Sequence, residues 1–224
     1  LLGTATGSGT DYTLAAGTAT ISAGSVTTTI ALTVVNDTLD EVDETVILTA
    51  SNPTNSSLGT NTTHTYTITD NDDPPTVAFT ASTASGAESV LAVNIEVLLS
   101  ATSSKNITVD YALSGTATGS GTDYTLAAGT ATITAGSVTT TIAATIINDT
   151  LDEVDETMIL TISNPTNSSL GVNTTHTYTI TDNDDPPTIA FTSATASGAE
   201  SVLSVNIEVL ISATSSKSIT VDYA

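Results

Sequence analysis

The sequence repeats itself with a period of 112 residues, and this feature constrains its fold more than any other. Aligning residues 1–112 with residues 113–224 leaves 14 differences, so 98 of 112 positions are identical. Most differences exchange similar residues, such as Val34 for Ile146 and Ser22 for Thr134. Because self-similarity at a fixed period marks an array of one structural unit, the chain consists of copies of a unit of 112 residues.

The boundaries of the unit are predicted at Pro74-Pro75 and Pro186-Pro187. Consecutive prolines donate no hydrogen bond to a sheet and favour an extended linker. Residues 1–73 are therefore expected to be the C-terminal part of one unit, and residues 74–185 a complete unit. Residues 186–224 are expected to be the N-terminal part of the next unit.

Within residues 74–185 the apolar side chains alternate with polar ones, which is the period of a β-strand. No segment has a helical period with caps. Seven short antiparallel strands in one unit predict an all-β fold, a seven-stranded antiparallel β-sandwich. The predicted strands A to G lie near residues 76–80, 90–99, 106–111, 129–134, 139–147, 157–163 and 175–181.

The most acidic stretch of the unit places five carboxylates in the eight residues from Asp149 to Glu156. Two unit charges about 4 Å apart interact by roughly 4 kcal/mol at an intermediate effective dielectric, so a cation is expected among them. The chain has 24 Asp and Glu against two Lys and no Arg, which makes a solvated ion the expected partner. Carboxylate oxygens without Cys, and without a nearby His, favour Ca²⁺ over zinc or copper.

Strand direction predicts that other carboxylates join this stretch. Connections between antiparallel strands alternate between the two ends of a sandwich, so the AB, CD and EF loops share one end with the chain that leaves strand G. All acidic residues of the unit fall at this end except Glu96 and Asp110, and the BC, DE and FG loops carry none. Charges placed only for solubility would populate both ends. The segregation predicts a metal site next to the linker that leads to the following unit.

The bulk charge and composition exclude several function classes. A net charge of −22 argues against nucleic acid and anionic membrane surfaces, which need a basic footprint. The sequence has no cysteine and no apolar run long enough for direct membrane insertion. A surface protein stabilised by metal rather than by disulfides fits this composition, so an extracellular location on a cell surface is expected.

Five segments together carry a family resemblance: Gly-Thr-Asp-Tyr at 121–124, Gly-Thr-Ala-Thr-Ile at 129–133, the acidic run 148–157, Leu-Thr-Ile-Ser-Asn-Pro at 160–165 and Ile-Thr-Asp-Asn-Asp at 180–184. The unit resembles the Calx-beta domain of sodium-calcium exchangers, integrin β4 and large bacterial surface proteins. The resemblance implies an immunoglobulin-like sandwich with Ca²⁺ at its distal loops.

Carried over position by position, the resemblance implies a set of Ca²⁺ ligands in the complete unit: Glu88, Asp123, Asp149, the Leu151 carbonyl, Glu153, Glu156, Asp182 and Asp184. Asn148 and Asn183 stand where more richly liganded members have Asp, which predicts fewer or weaker ions than in the exchangers. The flanking segments offer the equivalent candidates Asp11, Asp37, Glu41, Glu44, Asp70 and Asp72, and Glu200 alone in residues 186–224.

The function expected first is structural: a Ca²⁺-rigidified repeat of a long surface fibre or adhesin, whose partners are neighbouring repeats. Two alternatives remain open. Identical subunits could complete each other's partial units head to tail and form a filament, or the acid-free loops could bind a glycan or receptor. An enzyme is not expected, because carboxylates massed for a cation are unsuited to paired acid and base roles.

Overall fold

The structure, a computed structural model, describes residues 1–224 and consists of strands and irregular segments. Residues 1–73 contain β1 to β5: Leu2–Gly3, Tyr12–Thr13, Thr33–Val34, Glu44–Thr49 and Thr63–Ile68. Residues 74–185 contain β6 to β15: Thr76–Phe79, Thr83–Ala87, Ala92–Leu99, Ile107–Gly115, Tyr124–Thr125, Gly129–Ile133, Thr139–Ile146, Glu156–Thr166, Ser169–Leu170 and Thr175–Thr181. Residues 186–224 contain β16 and β17: Ile189–Phe191 and Val209–Ile211. The structure has no helix long and apolar enough to cross a membrane.

The strands of residues 74–185 form two five-stranded sheets. The first sheet has the order β10-β12-β8-β6-β14, and the second has the order β11-β9-β13-β15-β7. Alternate residues of each strand face the space between the sheets, and β8 is buried at every second position. A cluster of 20 buried residues fills this space. The predicted all-β sandwich is therefore confirmed.

The number and direction of the strands differ from the prediction. Three short strands, β7, β10 and β14, add to the seven predicted ones. The pairs β6–β14 and β7–β15 are parallel, so the sheets are not purely antiparallel. Strand A is divided because β6 pairs in the first sheet and β7 in the second. The sequence of β7, Thr-Ala-Ser-Gly-Ala, has no large apolar residue to alternate, so the hydrophobic pattern could not reveal it.

The flanking segments contain much less regular structure than their counterparts in the complete unit. Gly17 to Ile21 repeats the sequence of β11 but is not a strand, and the segment equivalent to β12 keeps only β3. Apolar side chains of the flanking segments are correspondingly exposed to solvent. Ile207 is 72% exposed, whereas its equivalent Ile95 in the complete unit is 3% exposed. Strand formation in this unit thus depends on the partner strands that bury these side chains.

Candidate metal centre

Three groups of carboxylates have oxygen atoms within 4.8 Å of one another. Two lie in the complete unit and one in residues 1–73. They are named here the Glu88 group (Glu88, Asp149, Asp184), the Asp123 group (Asp123, Glu153, Glu156) and the Asp11 group (Asp11, Glu41, Glu44). The loops that strand direction assigned to one end of the sandwich therefore do meet there.

The Glu88 group joins three loops. Glu88 follows β7, and its backbone N–H donates to the Thr181 carbonyl at 3.1 Å, which ties it to the end of β15. Glu88 is 6% exposed, and its Oε2 is buried without a hydrogen-bond partner, as is Oδ2 of Asp184. Two unpaired buried carboxylate oxygens in one group are costly without a cation.

The Asp123 group lies between the CD and EF loops. Asp123 precedes β10, and its carboxylate accepts a hydrogen bond from the backbone N–H of Thr118. Glu156 begins β13, and Glu153 lies earlier in the EF loop. All three side chains are half-buried, so the group remains open to an ion from solvent.

Other predicted ligands shape the loops around these groups. Asp149 Oδ1 accepts a hydrogen bond from the Leu151 N–H at 2.8 Å, which places the Leu151 carbonyl in the same turn. Asp182 belongs to neither group. It accepts hydrogen bonds from the backbone N–H of Glu153 at 3.1 Å and from that of Asp184 at 3.3 Å. Asp182 thereby holds one residue of each group in position.

Residues 1–73 repeat part of this arrangement. The Asp11 group lines a cavity of about 40 Å³ together with Asp37, Asp70 and Asp72. Asp70 accepts hydrogen bonds from the backbone N–H of Glu41 at 3.1 Å and from that of Asp72 at 3.3 Å, as Asp182 does in the complete unit. Glu200 is exposed and lies outside the three groups.

Crowding raises the pKa of several of these carboxyls. Burial, followed by the charges of Asp149 and its neighbours, raises the pKa of Glu88 to about 7. Burial and a hydrogen bond with Asp123 raise the pKa of Glu156 to about 7, and burial and Asp11 have the same effect on Glu44. A bound cation would stabilise the ionised forms and relieve this repulsion.

The sequence matches the Calx-beta domain over residues 2–72 and again over residues 70–184. The chain belongs to the Calx-beta family. No curated protein matches it.

Three solved Calx structures are similar in fold. The apo form of the Calx CBD1 domain is 24% identical, with a TM-score of 0.46, 50% of this chain covered and 100% of that domain. The CBD12 structure from CALX1.2 is 23% identical, with a TM-score of 0.46 and coverage of 52% and 48%. The calcium binding domain CBD12 of CALX1.1 is 25% identical, with the same TM-score and coverage. The chain thus spans about half the length of the two CBD12 structures.

The residues of this Calx-beta chain fit Ca²⁺ on their own chemistry. The Glu88 and Asp123 groups supply only hard oxygen ligands from flexible loops, which is the donor set that Ca²⁺ prefers. The unpaired oxygens of Glu88 and Asp184 are free to bind such an ion. The carboxylates of the two groups also act on one another, because burial and Asp123, and then the charges of Asp149 and Asp184, raise the pKa of Glu153. We expect the two groups to fill as neighbouring parts of one centre.

The raised pKa values predict an unusual pH dependence of stability without metal. Glu44, Glu88 and Glu156 have folded-state pKa values of about 7 against an ordinary value of 4.5. The folded chain therefore binds more protons than the unfolded chain between these values, and its stability falls as the pH rises through this window. In chelator we expect the melting temperature to be roughly 5 °C lower at about pH 8 than at about pH 5.5, measured by circular dichroism.

Ca²⁺ should reduce or reverse this difference, because the ion requires ionised carboxylates. The variant Glu88→Gln serves as the control, since it removes one of the three carboxyls with a raised pKa and should reduce the pH dependence in chelator. Equal melting temperatures at the two pH values in metal-free wild-type protein would contradict the prediction.

Sequence reasoning missed two acidic positions that matter here. Asp155 Oδ1 accepts a hydrogen bond from the Asp182 N–H at 3.2 Å and so supports the exit from β15. Asp152 and its equivalent Asp40 lie outside the three carboxylate groups, and each pairs with a lysine of the following unit. The 112-residue spacing of Lys105 and Lys217 was the signal that could have revealed this pairing.

Proposed function

We propose that this chain is a structural segment of a long extracellular surface fibre. Ca²⁺ bound at the acidic end of each Calx-beta unit would stiffen the junction with the next unit. The observation that carries this proposal is the position of the carboxylates, since Asp182 and Asp184 lie immediately before Pro186-Pro187. An ion held by the Glu88 group would fix the direction in which the chain enters the linker.

The near-identity of the repeats supports a spacer role. A spacer needs only to be repeated, whereas recognition domains usually diverge in their loops.

The location on a cell surface is part of the same proposal. Extracellular modules bind Ca²⁺ at roughly 10⁻⁴ to 10⁻³ M, and a chain without cysteine needs another device to stiffen its junctions. We favour this role over glycan binding, because no feature of the acid-free loops marks a sugar site.

Calorimetric titration of Ca²⁺ into the full chain tests the proposal. The double variant Asp149→Ala, Glu153→Ala removes one carboxylate from each group of the complete unit. We expect it to lose more than about half of the binding heat, because only the Asp11 group remains intact. The control Glu96→Ala removes a carboxylate from an exposed position in the middle of β8 and should bind as the wild type does.

Small-angle scattering of the same proteins gives the mechanical part of the test. Wild-type protein should be more extended and more rigid in Ca²⁺ than in chelator, and the double variant should respond less. Binding of Ca²⁺ with unchanged dimensions would refute a role in stiffening, and no binding heat would refute the metal centre itself.

A further inference from the structure

Both lysines of the chain lie in contacts between neighbouring units. The Lys105 Nζ is 2.7 Å from Asp40 Oδ1, and the Lys217 Nζ is 2.6 Å from Asp152 Oδ1. In each case the lysine is in the BC loop and the aspartate is in the EF loop of the preceding unit. The acid-free end of one unit therefore faces the acidic end of the unit before it, and the contact repeats at the 112-residue period.

The first junction encloses Asp40 almost completely. Asp40 is 2% exposed and Ser103 is 1% exposed. Ser103 Oγ donates to the Asp40 carbonyl at 3.1 Å and also contacts the Asp40 carboxylate. The Ser104 N–H donates to the same carbonyl at 2.9 Å. Both the backbone and the side chain of Asp40 are thus bound by three successive residues of the next unit.

The second junction has the same arrangement. Ser215 Oγ donates to the Asp152 carboxylate at 2.6 Å and lies 3.1 Å from the Asp152 carbonyl, to which the Ser216 N–H donates at 3.0 Å. In the complete unit the Gly136 N–H also donates to the Ser103 carbonyl at 2.8 Å, which holds the BC loop from its own side.

We propose that this Asp–Ser–Lys contact is a docking latch, through which the Ser-Ser-Lys loop of each unit recognises the EF-loop aspartate of a preceding copy of the same unit. The latch needs no metal, because the lysine itself neutralises the buried aspartate. A unit without this lysine would leave Asp40 buried and uncompensated, which is strongly unfavourable. The contact therefore selects its own repeat as neighbour.

The latch also touches the acidic end. The Lys105 Nζ lies 3.6 Å from Asp70 Oδ2, and the Lys217 Nζ lies 3.3 Å from Asp182 Oδ2. These two aspartates orient the EF loop through the N–H groups of Glu41 and Glu153. Docking of the next unit thus fixes the loop that carries the carboxylates, whether or not an ion is bound.

Spin-label distances across one junction test the latch. The chain has no cysteine, so Thr49→Cys and Thr161→Cys, at equivalent exposed positions of successive units, provide unique labels. In chelator the parent protein should give a distribution with one dominant docked distance, which Ca²⁺ narrows further. Lys105→Gln should broaden it and lower the ratio of docked to undocked molecules by at least about tenfold, as expected when one partner of a buried ion pair is removed.

Lys217→Gln is the matched control, since the same charge change at the other junction should leave this distance unaltered. Asp40→Asn should broaden the distance distribution as Lys105→Gln does. The double variant should broaden it little more than either single variant, because both substitutions remove the same ion pair. A narrow distribution for Lys105→Gln in chelator, or a broad one for the parent, overturns the latch. Loss of the Ca²⁺ response alone would refute the proposed stiffening and leave the latch intact.

Discussion

Removal of Ca²⁺ is expected to lower the melting temperature of this chain by more than about 10 °C. An ion at a hundredfold excess over its Kd adds about 2.7 kcal/mol of stability. For a unit of 112 residues each kcal/mol of stability shifts the melting temperature by about 4 °C. Loss of the ion destabilises the fold because two buried carboxylate oxygens of the Glu88 group have no hydrogen-bond partner. Thermal unfolding followed by circular dichroism, with Ca²⁺ and with chelator, measures the effect.

Two controls make this result specific. Mg²⁺ should restore little of the lost stability, because it demands a tighter octahedral shell and retains its waters. Asp184→Asn should weaken the response to Ca²⁺, whereas Asp185→Asn, at the exposed neighbouring position outside the three groups, should not. An equal response of the two variants would show that bulk acidity, rather than the Glu88 group, governs the stabilisation.

Truncation of one core residue is expected to have the second large effect. Leu160 is fully buried on β13, between β9 and β15. Leu160→Ala removes buried methyl groups and leaves a cavity, which costs about 2–5 kcal/mol. Denaturant unfolding monitored by circular dichroism should show this as a lower midpoint for the main transition.

The repeat supplies a matched control for this substitution. Leu48 is the equivalent residue on β4, where it is only half-buried because the flanking segment lacks the opposing sheet. Leu48→Ala should cost less than about 1 kcal/mol. Equal costs at the two positions would contradict the structural difference between the complete unit and residues 1–73.

Much of the candidate site could be predicted from the sequence because strand direction is a simple rule. Once β8, β9 and β12 are recognised by alternation, the ends at which their loops emerge are determined. This reasoning assigned Glu88 to the same end as Asp149, more than fifty residues away in the chain. The grouping into Glu88–Asp149–Asp184 and Asp123–Glu153–Glu156 required the loop conformations, which alternation does not specify.

The contact between units escaped the sequence pattern for a different reason. Asp40 and Asp152 appear in the sequence as members of an acidic run, indistinguishable from Glu41 and Glu153. In the folded EF loop, Asp149, Glu153 and Glu156 join the carboxylate groups of the candidate metal centre. Asp40 and Asp152 instead pair with lysines of the next unit.

One five-residue sequence of the repeat adopts different structures at its two places in the chain. Ile-Thr-Val-Asp-Tyr occurs at 107–111 and again at 219–223. The first copy is part of β9, paired with β11 and β13, and Val109 is 1% exposed. The second copy is not a strand, and Val221 is 51% exposed.

The sequence by itself determined which residues can face a core and which end of the unit carries the carboxylates, because both depend on local periodicity. Tertiary structure alone decided how the carboxylates divide into groups and which aspartates meet a lysine. A buried charge requires a partner that is often distant in the chain, and Asp40 pairs with Lys105 of the next unit.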